Sequence, residues 1–429
     1  MPITPEQGCC VRFCLADMLK KISTDQLRCG MHVHEVCGSW VDHPFWKASF
    51  LLKTEAQLLQ LRKSVRQVVI DISKGLDLPS VEAAQQAPSV DTASESEPMS
   101  PQASPLTPSI IPVIRPVCMQ EEMQRARQIV SQARGAMKTM FEDMRMGKAV
   151  DAVHCLPLVE EINASVARNP GAIVSLARLK TSDDYTYMHC VAVCALMVAL
   201  GRQLNLSDGD VREAGLAGLV HDLGKSAMPM DVLNKPGKLT ADEFAIIRRH
   251  PEEGHRMLLE AKGVGEVPLD VCLHHHEKIS GHGYPHRLKG DDISVFARMG
   301  AVCDVYDAIT SNRPYKAGWD PSESVQRMAQ WTREGQFDER IFQAFVRSIG
   351  IYPTGSLVKL NSAKLAVVVA QGALSLLHPL VRAFYSTKSQ EPITPELIDL
   401  SRSTDQIASR ESPAKWGFAH LDELWQGVG

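Results

Sequence analysis

The rhythm of apolar and polar positions changes three times along the chain. From residue 15 to 76, short alternating pieces (MHVHEV, RQVVIDI) flank GSWVDHPFWK and one helical stretch, TEAQLLQLRKS. Alternation at period two marks half-buried strands, so a small β-rich domain is expected here. Residues 77–117 are dense in Pro, Ser and Ala and hold no aromatic residue. Such a segment cannot bury enough apolar surface to offset the entropy of ordering, and it reads as a flexible linker. Residues 119–350 read as helix after helix. Thr240 followed by Glu243 forms a capping box, Ser207 followed by Asp210 a weaker one, because each side chain can satisfy a free backbone N–H of the first turn. Pro251 directly after His250 is expected to bend or end a helix and angle that histidine off a regular face. Residues 351–429 return to strand-like text (SLVKLN, KLAVVVAQ, LVRAFYS), a short β appendage and tail. The expected class is mainly α: an all-helical domain between a small β-rich N-terminal domain and this appendage.

Length and composition narrow the function classes. The 429 residues, 44% of them hydrophobic, suffice for two or three domains with a sizeable core. A formal charge of -4 shows no global basic excess, which argues against a broad nucleic-acid surface. The eleven cysteines are scattered without a CxxC pair, and no signal-peptide pattern opens the chain, so reduced thiols and a cytoplasmic location are expected. The longest apolar runs, CVAVCALMVAL and LAVVVA, are too short to cross a bilayer, and no membrane insertion is expected.

The chemistry concentrates in the helical region, which holds His189, the pair His221-Asp222, His250, His274 to His276 and Asp304. A lone histidine on a helix is usually a satisfied core or surface residue. Here LAGLVHDLGK and AVCDVYDAIT embed Asp222, Asp304 and Asp307 among apolar neighbours. Buried carboxylates are expensive unless a metal, a base or hydrogen bonds compensate them, so several of them with histidines point to divalent cations. Imidazole and carboxylate donors suit iron, manganese and similar ions, and the lack of clustered cysteines argues against a thiolate zinc site.

The ordered set Tyr185-Thr-Tyr-Met-His189, His221-Asp222-Leu-Gly-Lys225, His250-Pro, His275-His276-Glu277, Gly281-His-Gly283-Tyr284-Pro285, Asp304-Val-Tyr-Asp307-Ala and Arg313-Pro-Tyr resembles the HD-GYP family, bacterial phosphodiesterases of cyclic di-GMP. The N-terminal segment is similar to a domain of unknown function that precedes such domains. The resemblance implies an HD-type phosphohydrolase domain with metal ligands His189, His221, Asp222, His250, His275, His276 and Asp304. Asp222 would bridge the two ions, iron or manganese. Some members place a glutamate four residues before the first histidine for a third ion; Tyr185 stands there in this chain, and a phenol is a poor bridge, so two ions are expected.

The implied reaction is attack by a metal-bridging hydroxide on a phosphodiester of cyclic di-GMP, giving pGpG or GMP, with Lys225 and Asp222 catalytic. Gly283, Tyr284 and Pro285 would shape the substrate lip, and Arg313 and Lys316 would hold the second phosphate. Glu277 is expected to orient an imidazole, and His274 to stand aside. Two other readings stay open: a catalytically weak module that binds cyclic di-GMP or docks a diguanylate cyclase or other signalling protein, and an HD hydrolase of another nucleotide. A homodimer is compatible with each.

Overall fold

The structure is a computed structural model that describes residues 19–37 except 29, scattered positions from 50 to 76, and residues 115–426 except 149–150, 181–184, 313–317, 373–374 and 419–420. The chain divides into two compact units, Met1–Val113 and Ile114–Gly429. The expected linker through residue 114, and the stretch GSWVDHPFWK, lie outside the described residues.

In the first unit, β1 (Leu19–Ser23), β2 (His32–Cys37), β3 (Phe50–Leu51) and β4 (Gln67–Asp71) form an antiparallel sheet in the order β1-β4-β2-β3. Their alternation places Ile22, Val33, Val68 and Ile70 in one small core with Leu27, Met31, Leu52 and Leu58. Glu55, Leu58 and Arg62 are helical. The Arg62 guanidinium donates to the carbonyls of Thr24, Asp25 and Leu27 at 3.0–3.2 Å, which pins the turn after β1.

The second unit is built around helix. α1 (Met119–Arg145), α2 (Leu156–Arg168) and α3 (Pro170–Arg178) pack beside α4 (Tyr185–Gln203) and α5 (Asp208–Val220). α4 is buried from Met188 to Gly201, as expected of a helix that is apolar on all sides. It is the one described helix long and apolar enough to cross a membrane by composition, and it is mostly buried inside this unit. The short α6 (Met230–Leu233) and α7 (Ala241–Ile247) follow, then α8 (His250–Leu259), α9 (Glu266–His274), α10 (Val295–Thr310), α11 (Pro321–Arg333) and α12 (Glu339–Ile349). α7 opens on the expected capping box: Glu243 N–H donates to Thr240 Oγ1 at 3.2 Å, and Thr240 N–H to Glu243 Oε2 at 2.7 Å. Ser207 accepts from Asp210 N–H at the start of α5. The chain breaks between α7 and α8, and Pro251 sits in the first turn of α8, where its missing N–H loses nothing.

The C-terminal strands β5 (Leu357–Leu360), β6 (Lys364–Ala370), β7 (Leu380–Ser386), β8 (Glu391–Asp399) and β9 (Ile407–Arg410) form an antiparallel sheet in the order β8-β7-β6-β5-β9. One face (Leu357, Leu365, Val367, Val369) joins the helical core, and the other (Val358, Leu360, Ala366, Val368) closes a second small core. β8 is an exposed edge with Pro392 and Pro395, residues that block further strand pairing.

A fully buried Glu122 on α1 receives two hydrogen bonds from Arg168 of α2, at 2.6 and 2.8 Å. Burial alone would raise its pKa; the Arg168 pairing outweighs burial and lowers it. Arg168→Met should therefore destabilise the second unit by about 3 kcal/mol, with Arg125 remaining 3.4 Å away as a partial partner. Because the folded pKa is depressed, that contribution is present above the usual glutamate value and is lost as pH falls through the lowered one. Denaturant unfolding of both proteins across this range measures it; equal stability at neutral pH would contradict it.

Candidate metal centre

Five elements converge on one buried cluster. α4 supplies His189, the end of α5 His221 and Asp222, α8 His250, the end of α9 His275 and His276, and α10 Asp304. All but the half-buried His276 are buried. Gly224 makes the convergence possible: a Cβ there would lie 1.9 Å from the His250 carbonyl oxygen and 2.5 Å from Gly254 N, so only glycine lets the HD turn approach α8.

The protons of the buried imidazoles follow from their partners. His221 Nδ1 lies 2.8 Å from the Gly218 carbonyl, His250 Nδ1 2.7 Å from the Ile247 carbonyl, and His275 Nδ1 3.0 and 3.1 Å from those of Val271 and Cys272. A carbonyl only accepts, so each Nδ1 carries a proton, and in its neutral form each ring turns its Nε2 lone pair inward. His250 Nε2 and His275 Nε2 then face each other at 3.4 Å, with Asp222 Oδ1 3.2 Å from the first and 3.8 Å from the second. Two lone pairs and a carboxylate oxygen aimed at one point repel unless a cation lies between them. His221 Nε2 and Asp222 Oδ1 are moreover buried without an aligned hydrogen-bond partner.

The cluster falls into two halves. The donor atoms of His189, His221 and Asp304 lie within 4.8 Å of one another, as do those of His250, His275 and His276. Asp222 touches both: Oδ1 faces His250 and His275, and Oδ2 lies 3.4 Å from His189 Nε2 and 3.5 Å from His221 Nε2. His189 Nε2 lies 2.9 Å from Asp304 Oδ1, and His276 Nδ1 is 3.7 Å from Asp304 Oδ2. The protonation states suit metal. Burial pushes His221 and His275 down, and burial, with a smaller effect of His250, brings His276 down to about 3 against the pull of Asp304. Burial would raise Asp222 and Asp304, but Lys225 and the histidines around Asp222, and His189 and the histidines around Asp304, hold both carboxyls well below their usual range. Neutral imidazoles at His221, His275 and His276 and ionised carboxylates are the ligand forms that a divalent ion requires; burial would lower His189, but its contacts with Asp304 and Asp307 outweigh it and push it up.

Two sequence families match the chain: one described as a domain of unknown function over residues 19–155, the other as the HD domain over residues 163–341. A Pseudomonas aeruginosa protein named a cyclic di-GMP phosphodiesterase is 53% identical over 415 residues, covering 96% of each chain. This chain belongs to the HD-GYP family. A cyclic di-GMP phosphodiesterase response regulator of Xanthomonas campestris is 40% identical over 181 residues, 40% of this chain and 47% of that one. A 3'3'-cGAMP-specific phosphodiesterase of Vibrio cholerae is 33% identical over 181 residues, 41% and 42% of the two chains.

The structure brings the seven HD-GYP ligand positions together and sets their supports around them. Lys225, on the short helical turn Leu223–Ala227, pairs with Asp222 Oδ2 and is one-fifth exposed. Tyr284 stacks on His276 at 4.7 Å. Gly283 is demanded by space rather than by its backbone angles: a Cβ would lie 2.4 Å from Glu277 Cα, whereas Gly281 does take a positive φ of 78°. Pro285 follows Tyr284 through a cis peptide bond. Arg313 and Lys316 lie outside the described residues. His274 turns away, with Nδ1 2.7 Å from Asp270 and Nε2 3.0 Å from His286. The expectation for Glu277 is corrected: its Oε1 accepts from the backbone N–H of His286 at 2.7 Å, so it fastens the glycine loop instead of an imidazole.

Two further residues have parts that the sequence left unassigned. Asp307, one turn after Asp304, lies 2.6 Å from His189 Nδ1 and pairs with the fully buried Lys180. Burial would raise Asp307; Lys180 and His189 outweigh it and keep the carboxylate ionised. Asp307 thereby takes the proton side of His189 and leaves Nε2 for the cluster. The Lys180 ammonium lies 5.2 Å from the Tyr185 ring centroid, and that ring stacks on His189 at 6.0 Å. Asp307→Asn should weaken metal retention about tenfold to a hundredfold, measured by competition with a chelator. Unchanged retention would show that Asp307 does not orient His189.

Proposed function

We propose that this protein is a metal-dependent phosphodiesterase that hydrolyses cyclic di-GMP. The observation that carries the reading is the inward-facing set of lone pairs around Asp222, with His250 Nε2 and His275 Nε2 at 3.4 Å; the named activity of the relative covering 96% of the chain supplies the substrate.

His189, His221, Asp222 and Asp304 would hold one divalent ion, and Asp222, His250, His275 and His276 the other. When bound, such ions supply Lewis acidity toward a phosphoryl oxygen and a nucleophile active at neutral pH. The mixed imidazole and carboxylate donors favour iron or manganese. The chain's own groups do the rest. Carbonyl and Asp307 contacts to the Nδ1 atoms fix the orientation of the buried rings. Burial dries the cluster and strengthens every charge in it. Burial would lower the pKa of Lys225; Asp222 outweighs this and keeps it an ammonium, so it can steady charge that builds on phosphorus or give a proton to the leaving oxygen. Gly283 and Tyr284 shape the lip over His276. The buried free thiols of Cys190, Cys194, Cys272 and Cys303 support a cytoplasmic location.

The resemblance to 3'3'-cGAMP-specific enzymes favours one second reading, hydrolysis of that cyclic dinucleotide. Anaerobically purified protein loaded with manganese or iron should convert cyclic di-GMP to pGpG or GMP faster than it cleaves 3'3'-cGAMP, followed by chromatography. Asp222→Ala should lose both ions and drop turnover to background, with helical circular dichroism retained. Preference for 3'3'-cGAMP would move the assignment to that substrate, and no cleavage of either by fully loaded protein would sink it.

A further inference from the structure

The HD-GYP motifs stop at Pro285, and the residue after it is tied twice. His286 N–H donates to Glu277 Oε1 at 2.7 Å, and His286 Nδ1 lies 3.0 Å from His274 Nε2, with the two ring centroids 5.2 Å apart. His274 Nδ1 in turn lies 2.7 Å from Asp270 Oδ1, one turn earlier on α9, and the other oxygen of Asp270 accepts from the Ser294 hydroxyl. Ser294 caps the start of α10, where its Oγ also accepts from Ala297 N–H at 3.0 Å. Four side chains therefore run in one line from the cap of the helix that carries Asp304, across α9, to the glycine loop.

The direction of each bond follows from its neighbours. Burial would raise the pKa of Asp270; the hydrogen bonds from His274 and Ser294 outweigh it and lower it, so the carboxylate is ionised and only accepts. His274 Nδ1 then carries a proton, and in the neutral ring Nε2 accepts from His286 Nδ1–H. Hydrogen bonds in such a chain polarise one another, so the last one gains from the carboxylate behind it.

The loop needs a tie at this point. His286 and Arg287 are exposed, and Arg287 takes a φ of 57°, a left-handed conformation that is unfavourable for a residue with a side chain unless its surroundings impose it. Two residues before His286 stands Tyr284, whose ring meets His276 at 4.7 Å and the Arg248 guanidinium at 4.6 Å. We propose that His274 and His286, backed by Asp270 and Ser294, form a side-chain latch that positions Tyr284 at the mouth of the metal centre. These are positioning residues for substrate binding, and none of the four is a metal ligand. The kinetic consequence rests on the phosphodiesterase reading above.

The test compares full-length, metal-loaded wild type with His286→Ala, His286→Asn, Asp270→Asn and the double variant His286→Ala, Asp270→Asn. Hydrogen exchange followed by mass spectrometry reads the loop directly. Peptides holding Tyr284 and Gly290, whose amides donate to the carbonyls of His276 and Ile279, should exchange faster in His286→Ala. They should return toward the wild-type rate in His286→Asn, whose amide can donate where Nδ1 does. In steady-state kinetics His286→Ala should raise KM for cyclic di-GMP about threefold to tenfold, the weight of one hydrogen bond, with kcat and metal content nearly unchanged. Because both substitutions cut one chain, the double variant should lose no more than the worse single one. Unchanged exchange and KM in His286→Ala, an equal loss in His286→Asn, additive losses, or a loss of metal would each overturn the latch. Wild-type protein that does not cleave cyclic di-GMP would sink the phosphodiesterase reading, whereas the exchange rates would still decide whether the chain holds the loop.

Discussion

The Asp222 carboxylate is the point on which the second unit turns. Its side chain is buried, one oxygen faces His250 and His275, and the other faces His189, His221 and Lys225. An ion taken this far from water is penalised by several kcal/mol even after relaxation. Lys225 and the surrounding histidines compensate part of that, and where the imidazoles are neutral, positive charge between the rings would relieve the repulsion of their inward lone pairs. The helices are placed accordingly: α4, α5, α8, α9 and α10 each bring donors to one volume, and the carbonyls of Gly218, Ile247 and Val271 fix which nitrogen is presented.

Around that constraint the structure is layered by solvent access. Behind the cluster, Lys180 and Asp307 form a dry support for His189. In front of it, Glu277 ties the glycine loop by the His286 N–H and Gly283 lies against the Glu277 backbone, which brings Tyr284 over His276. Farthest out, Phe244 sits on the short α7, which has no buried residue, and Arg248 directly follows it. Burial thus falls from the His/Asp cluster toward the rim, as expected of a site that must hold ions firmly and admit a bulky substrate.

Much of this was legible in the sequence because the ligand residues carry it locally. His221-Asp222 at the end of an apolar run and Asp304 inside another are costly patterns on any helix, and their order with His189, His250, His275 and His276 resembles one family. The strands of both sheets showed in their alternation, and α7 in its capping box. What escaped reading depends on tertiary neighbours. Lys180 follows an apolar helix and carries no motif; only packing against α10 delivers it to Asp307. Asp307 was visible as a second carboxylate, yet nothing in the spacing tells which of two acids one turn apart faces the cluster at His189 Nε2 and which meets Nδ1. Arg248 gains its place from Tyr284, which is far along the chain. Glu277 stands next to a histidine pair, and adjacency suggested an imidazole partner, whereas the turn after α9 swings its carboxylate onto the backbone of the loop.

The most direct test of a two-ion centre joined by Asp222 is the metal stoichiometry of anaerobically purified protein, by mass spectrometry of the metals against protein concentration. Two ions of iron or manganese per chain are expected, because Tyr185 offers no carboxylate and the Lys180 ammonium sits beside it. Three ions per chain, or a fully active protein without any, would contradict the account.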